Sequence, residues 1–155
     1  MAAQVLLIVI DILVVVAISI GVGALAPRWP DAWLDRDRGP LTLGPWETPA
    51  FYRRLHIPRL ARRLPELGDT FGGESKSQLP GSTLDHLVAY RREVRRAEWV
   101  HWASVAGTLV LFAFNPWWLA LAFVIVVTAG NLPFILVLRN NRARITRIID
   151  KDGGR

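Results

Sequence analysis

The stretch WVHWASVAGTLVLFAFNPWWLALAFVIVVTAGNLPFILVL, Trp99 to Leu138, decides the fold. It contains no Asp, Glu, Lys or Arg. Roughly 20 apolar residues cross a hydrocarbon core, so this stretch is too long for one crossing. The step Asn115-Pro116 divides it. Proline lacks an amide proton and steers the residue before it away from helix. The expectation is a helical hairpin. Its first arm runs from about Glu98 to Phe114 and is barely long enough to span. Its second runs from Trp117 to Leu138 and, at about 1.5 Å per residue, reaches roughly 33 Å. Trp117 and Trp118 follow the turn, at the level of an interfacial aromatic belt. The alternative for the short arm is a re-entrant segment, since shortness is also met by local bilayer thinning.

A second apolar run, Val5 to Ala26, lies upstream and also reaches roughly 33 Å. A cleaved leader is the competing reading, because Ala24-Leu25-Ala26 suits a peptidase. Against it, Met1 to Gln4 carries no positive charge and the run is long for a leader. The chain has 155 residues, enough for one unit, with a net charge of +6. Of its 19 Lys and Arg residues, 13 fall between Arg28 and Arg96 and six between Arg139 and Arg155. Charge confined to blocks between apolar runs marks a membrane protein and argues against a nucleic-acid binder. With three crossings, the basic loop and the basic tail share one face, which the positive-inside bias makes cytoplasmic. Two crossings would leave one basic block outside.

The expected architecture is therefore an all-α integral membrane protein of the cell membrane, a single multi-pass domain over residues 1–155. It has spans at about 5–26, 98–114 and 117–138, a cytoplasmic and interfacial loop over 27–97, and a basic tail over 139–155. In the loop, Phe51 to Pro65 interleaves aromatics, leucines and arginines. Two short helices parted at Pro58 would each have an apolar and a basic side, suited to the headgroup layer and its lipid phosphates. Gly68 to Pro80 reads as a flexible connector. Ser82 is placed to cap a helix that starts at Thr83 and runs through Glu98 into the second span.

No cysteine is present, which excludes disulfides and thiolate catalysis. No G-x-S-x-G, P-loop, dinucleotide fingerprint or H-E-x-x-H metal motif occurs. No bound cofactor or metal is expected. The most informative residues lie where charge meets the apolar block. Glu98 and His101 are three apart, so on a helix they share a face. A carboxylate beside an imidazole raises its basicity and fixes its tautomer, and the histidine then takes a proton from an alcohol at headgroup depth. The competing reading is an interfacial pair that satisfies only itself. Asn131-Leu132-Pro133 interrupts the third span, either as a packing kink or as a polar lining. Arg139 and Arg142 serve as a positive stop or as ligands for the phosphates of a lipid or of coenzyme A. Asp11, costly at its depth, is expected to face the helix bundle and to pair with a polar group such as Asn131.

Several of these elements together resemble the glycosyl-4,4'-diaponeurosporenoate acyltransferase family of staphyloxanthin-type carotenoid synthesis. They are Pro30-Asp31, Glu47 followed by Phe51-Tyr52, the basic run ending Leu64-Pro65, Arg96-Ala97-Glu98-x-x-His101-Trp102, Asn131-x-Pro133 and Arg139-x-Asn141-Arg142-x-Arg144. The similarity covers about Pro30 to Ile145. The resemblance implies transfer of a fatty acyl group from an activated donor, acyl-CoA or similar, to a sugar hydroxyl on a glycolipid or glycosylated carotenoid. It implies His101 and Glu98 as catalytic residues, and Glu47, Asn131, Arg139 and Arg142 as substrate-binding ones. The expected partners are membrane lipids, the glycolipid acceptor and the acyl donor, and no nucleic acid. Three helices offer little wall for a lipid-sized pocket, so a homo-oligomer or a larger membrane enzyme complex is a further expectation. The alternatives are a non-catalytic subunit or scaffold of a lipid-modifying assembly, and a lipid-binding or transport module.

Overall fold

The computed structural model describes residues 2–64 and 83–152. All regular structure among these residues is helical. The order is α1 (Ala2–Leu25), α2 (Asp31–Leu34), α3 (Pro49–Arg54), α4 (Ile57–Ala61), α5 (Leu84–Gly107) and α6 (Trp117–Asp152), with short 3-10 turns at Ala26–Arg28, Gly39–Leu41 and Thr108–Ala113.

Helices α5 and α6 form an antiparallel hairpin closed by Asn115 and Pro116, and theirs is the most extensive contact in the fold. Helix α1 packs on α5, α2 on α5, and α3 with α4 on α6. Two helices are long and apolar enough to cross a membrane, by length and composition: Gln4–Arg28 and Trp117–Lys151. Most of α1 is uncovered by the rest of the chain. Val5, Leu6 and Leu13 are each about 60% exposed.

The structure bears on four expectations. First, the expected second span is shared between the end of α5 and the Thr108–Ala113 3-10 turn, so it is not one apolar α-helix. A 3-10 turn rises about 2.0 Å per residue against about 1.5 Å, which lengthens an arm short of residues. Second, α6 does not stop at Leu138. It continues through the expected basic tail to Asp152. The reason is an apolar seam invisible as a hydrophobic run: Leu87, Tyr90 and Val94 of α5 bury against Leu138 and Ile145 of α6, with Ala97, Ile148 and Ile149 at the margin. The spacing of three, four and seven puts each set on one helix face. At about 1.5–3 kcal/mol for each large apolar side chain buried, that seam adds to the good helix preference of the arginines between and outweighs the poorer one of Asn140, Asn141 and Thr146.

Third, the span expected to run through Pro133 does so, and Pro133 lies inside α6 without ending it. Neighbouring helices and side chains tolerate the lost backbone bond there. Fourth, the break in the basic segment falls at His56, whose φ of 57° is in the left-handed region, and not at Pro58. Pro58 sits in the first turn of α4, where a missing N–H leaves no helix bond unmade. The pair α3–α4 still has the two-sided character expected. Tyr52 and Ile57 bury against Val137 and Ala143 of α6, while Arg53, Arg54, Arg59, Arg62 and Arg63 are exposed. Thr83 occupies the N-cap position of α5. Ser82 and the Gly68–Pro80 connector lie outside the described residues.

Candidate functional site

At the charged end of the hairpin, acids of the 31–47 loop and of α5 meet arginines of α5 and α6. Glu98 is fully buried. Its Oε1 accepts from Arg139 Nη1 at 2.8 Å and its Oε2 from Arg142 Nη1 at 2.6 Å. Trp102 Nε1, one turn on, donates a long bond to Oε1 at 3.4 Å. Glu47 is the second hub. Arg139 donates to it through Nε at 2.6 Å and Nη2 at 2.5 Å, Gly44 N–H at 2.6 Å, and the Tyr52 hydroxyl. Asp37 completes the set, accepting from Arg95 Nε at 2.7 Å and from Arg142 Nη2 at 3.0 Å.

Three carboxylates (Asp37, Glu47, Glu98) thus balance three guanidiniums (Arg95, Arg139, Arg142) in a mostly buried volume. Burying charge is costly unless it is paired and hydrogen-bonded, and here it is both. Burial works to raise the Glu47 pKa, yet the bonds from Arg139, Tyr52 and the Gly44 backbone outweigh it and hold the carboxyl at about 2. Burial, and then the neighbouring Glu47 carboxylate, push the Tyr52 phenol well above its ordinary range.

The same arginines close the loop's backbone accounts. Arg139 donates to the carbonyls of Pro40 and Thr42, Arg142 to that of Leu41, and Arg95 to those of Leu34 and Asp35. The bonds to Leu34 and Leu41 are buried, where a main-chain carbonyl demands a partner. All five N–H donors of Arg139 are engaged: Nε by Glu47, Nη1 by Pro40 and Glu98, Nη2 by Thr42 and Glu47. The phosphate-binding role expected of Arg139 has no unused donor behind it in this arrangement.

A second constellation lies three residues along α5 from Glu98. His101 Nδ1 is 2.7 Å from Asn131 Oδ1, and the Asn131 amide nitrogen donates to the Val127 carbonyl at 2.8 Å. The His101 ring stacks on Phe134, centroids 5.1 Å apart and planes 14° from parallel. The pairing of Glu98 with His101 expected from their spacing gives way to two other pairings. Glu98 directs its carboxylate to Arg139, Arg142 and Trp102, and the side chain that meets His101 Nδ1 is Asn131. Sharing a helix face permits contact but does not decide it. Two guanidiniums from α6 satisfy a buried carboxylate better than one imidazole.

Of the six residues singled out in the sequence, the structure brings Glu47, Glu98, Arg139 and Arg142 into one cluster, and His101 and Asn131 into the adjoining pair. Asp11 is buried, but its partner is Asn115 at the hairpin tip, whose Nδ2 donates to Asp11 Oδ1 at 2.8 Å, and not Asn131. Sequence reading missed Asp37, Arg95 and Phe134, and it gave Tyr52 only as part of a matching motif. The acids at 31, 35 and 37 facing arginines at 92, 95 and 96 held a signal of matched charge. The ion pairs Arg92–Asp35 at 2.5 Å and Arg96–Asp31 at 3.1 Å carry that match to the surface. Among the described residues, no group of three His, Cys, Asp or Glu could hold a metal ion.

No curated protein and no solved structure matches the chain. The family model described as glycosyl-4,4'-diaponeurosporenoate acyltransferase matches residues 30–151, which take in the acidic loop, the arginine cluster, His101 and Asn131. The chain belongs to the glycosyl-4,4'-diaponeurosporenoate acyltransferase family.

Proposed function

We propose that the chain is a multi-pass membrane O-acyltransferase that moves a fatty acyl group to a sugar hydroxyl of a glycosylated carotenoid or related glycolipid. The family name supports the reaction class and the acceptor. One observation carries the site. A half-buried histidine, fixed at Nδ1 and stacked on Phe134, lies beside an arginine–carboxylate cluster at the charged end of two long apolar segments. In the proposed reaction His101 takes the proton of the sugar hydroxyl while its oxygen attacks the carbonyl carbon of an acyl thioester such as acyl-CoA. The C–O bond forms, the C–S bond breaks, and the thiol leaves with the proton returned by the imidazolium. Glu98 then contributes by holding Arg139 and Arg142, and Glu47 by fastening its loop to Arg139. The basic loop and the C-terminal end of α6 face the cytoplasm, where the acyl donor is made.

The test is transfer of labelled acyl chain from acyl-CoA to extracted glycosylated carotenoid by the purified protein in lipid nanodiscs. His101→Ala should lower turnover at least about 100-fold with expression and helicity retained. Undiminished turnover in that variant would remove His101 from the reaction. The saturated donors of Arg139 favour a second reading for the acid–arginine cluster, that of a scaffold, with the chain a non-catalytic subunit of a larger assembly. No transfer by the pure protein, with stable co-purification of another membrane enzyme, would establish it.

A further inference from the structure

We propose that Asn131 is a positioning residue that holds His101 as its Nδ1–H tautomer and so makes Nε2 the basic nitrogen; the catalytic use of that nitrogen rests on the acyl-transfer reading. A carbonyl oxygen only accepts, so the side-chain atom 2.8 Å from the Val127 carbonyl is the Asn131 amide nitrogen. That fixes which way the amide faces. The oxygen left over lies 2.7 Å from His101 Nδ1 and also only accepts, so Nδ1 carries the proton. In a neutral imidazole the proton sits on one nitrogen and the basic lone pair on the other. The hydrogen positions follow from the chain of partners: Val127 carbonyl, Asn131 amide, His101 ring.

Phe134 supplies the remaining constraint. It lies three residues after Asn131, on the same face of α6, and stacks on the imidazole. Asn131 sets the rotation of the ring and its protonated side, and Phe134 sets its plane. A general base needs both, since an imidazole in the wrong tautomer offers N–H where a lone pair is required. The partner described at Nδ1 is Asn131 Oδ1. Glu98 is held by arginines, and a neutral amide stands in its place. Asn131 therefore acts through His101 rather than on substrate.

The experiment is ¹⁵N NMR of histidine-labelled full-length protein in nanodiscs at neutral pH, with the His101 signals assigned by loss in His101→Gln. The wild type should show the Nδ1–H tautomer. Asn131→Leu should shift the population toward Nε2–H, and Asn131→Asp, which keeps an acceptor oxygen, should restore Nδ1–H. In the transfer assay Asn131→Leu should lower kcat about 10- to 100-fold with KM nearly unchanged, whereas a substrate contact would move KM. A wild-type spectrum with the proton on Nε2, or an unchanged tautomer in Asn131→Leu, would overturn the proposal. The wild-type spectrum decides even if the leucine variant does not fold. A confirmed tautomer in a protein with no transfer activity would uphold the positioning and remove the acyl-transfer reading instead.

Discussion

Arg139 and Glu47, 92 positions apart, meet as a two-pronged ion pair, Nε to Oε1 at 2.6 Å and Nη2 to Oε2 at 2.5 Å. The planar fork of a guanidinium matches a carboxylate in a way an ammonium cannot. Arg139→Lys keeps the charge but loses the fork and most of the five bonds. Breaking a buried pair typically costs about 3–5 kcal/mol, because the partner is left charged and unmet. The expected outcome is a drop in thermal midpoint for Arg139→Lys nearly as large as for Arg139→Ala. A double-mutant cycle with Glu47→Gln should return a coupling of about 2 kcal/mol or more. Thermal unfolding in detergent measures both, and a fully stable lysine variant would show that charge alone suffices.

Glu47 and Tyr52 together set a pH window for stability. The folded Glu47 carboxyl, at about 2 against an ordinary 4.5, binds a proton less readily than the unfolded one. Its contribution is complete above about 4.5 and is lost as pH falls toward 2. The folded Tyr52 phenol is raised above its ordinary 10, so its contribution is intact below 10 and is lost as pH rises past it. Thermal midpoints should therefore form a plateau between these limits. Glu47→Gln should lower the plateau and flatten the acid limb. An unchanged acid limb in that variant would assign acid sensitivity to other groups.

At Gly107 α5 comes close to Ile18 of α1. A Cβ built there would come within 2.6 Å of Ile18 Cγ2, a branch held rigidly at its own Cβ. Small residues at helix crossings let backbones approach in just this way. Gly107→Leu should push α1 off α5 and lower the thermal midpoint, and Gly107→Ala, whose Cβ alone meets that branch, should also lower it, by less. Pairing either with Ile18→Ala should recover most of the loss. Cysteine crosslinking between α1 and α5, in a chain with no native cysteine, would report the separation directly.

At the hairpin tip, Asp11 Oδ2 and Asn115 Oδ1 are buried without a hydrogen-bond partner, beside the bond the two residues do make. Removing one partner strands the other, at a cost of about 1–3 kcal/mol, whereas replacing both with apolar groups comes close to neutral. Asp11→Leu should destabilise the protein, and the double variant Asp11→Leu/Asn115→Leu should be more stable than Asp11→Leu alone. Thermal unfolding of the three proteins checks this. A double variant less stable than Asp11→Leu would show that the pair does more than fasten α1 to the tip.

The apolar helices and their division at Asn115-Pro116 were legible because hydrophobic runs and proline act locally. The extent of α6 was not. Its last third is polar by composition, and only its partner Leu87–Val94 face, across the hairpin, reveals why it stays helical. The positions of the site were legible as residue types, and their pairings were not. Glu98 and His101 are neighbours in sequence, but a buried carboxylate is claimed by whichever cation can reach it with most donors. Arg139 and Arg142, more than 40 positions away, arrive by the packing of α6. Asn131 was readable as a polar residue in an apolar helix, yet its target depended on the rotation of α6 against α5.

Arg139 fastens to Pro40 and Thr42 by main-chain oxygen alone, and both of those residues are exposed. A mooring of that kind does not register which side chains the two positions carry. The rim can change its chemistry, one mutation at a time, without the loop coming adrift from the hairpin. Proteins built on this scaffold are thereby free to vary those two side chains while keeping the Arg139 mooring unchanged.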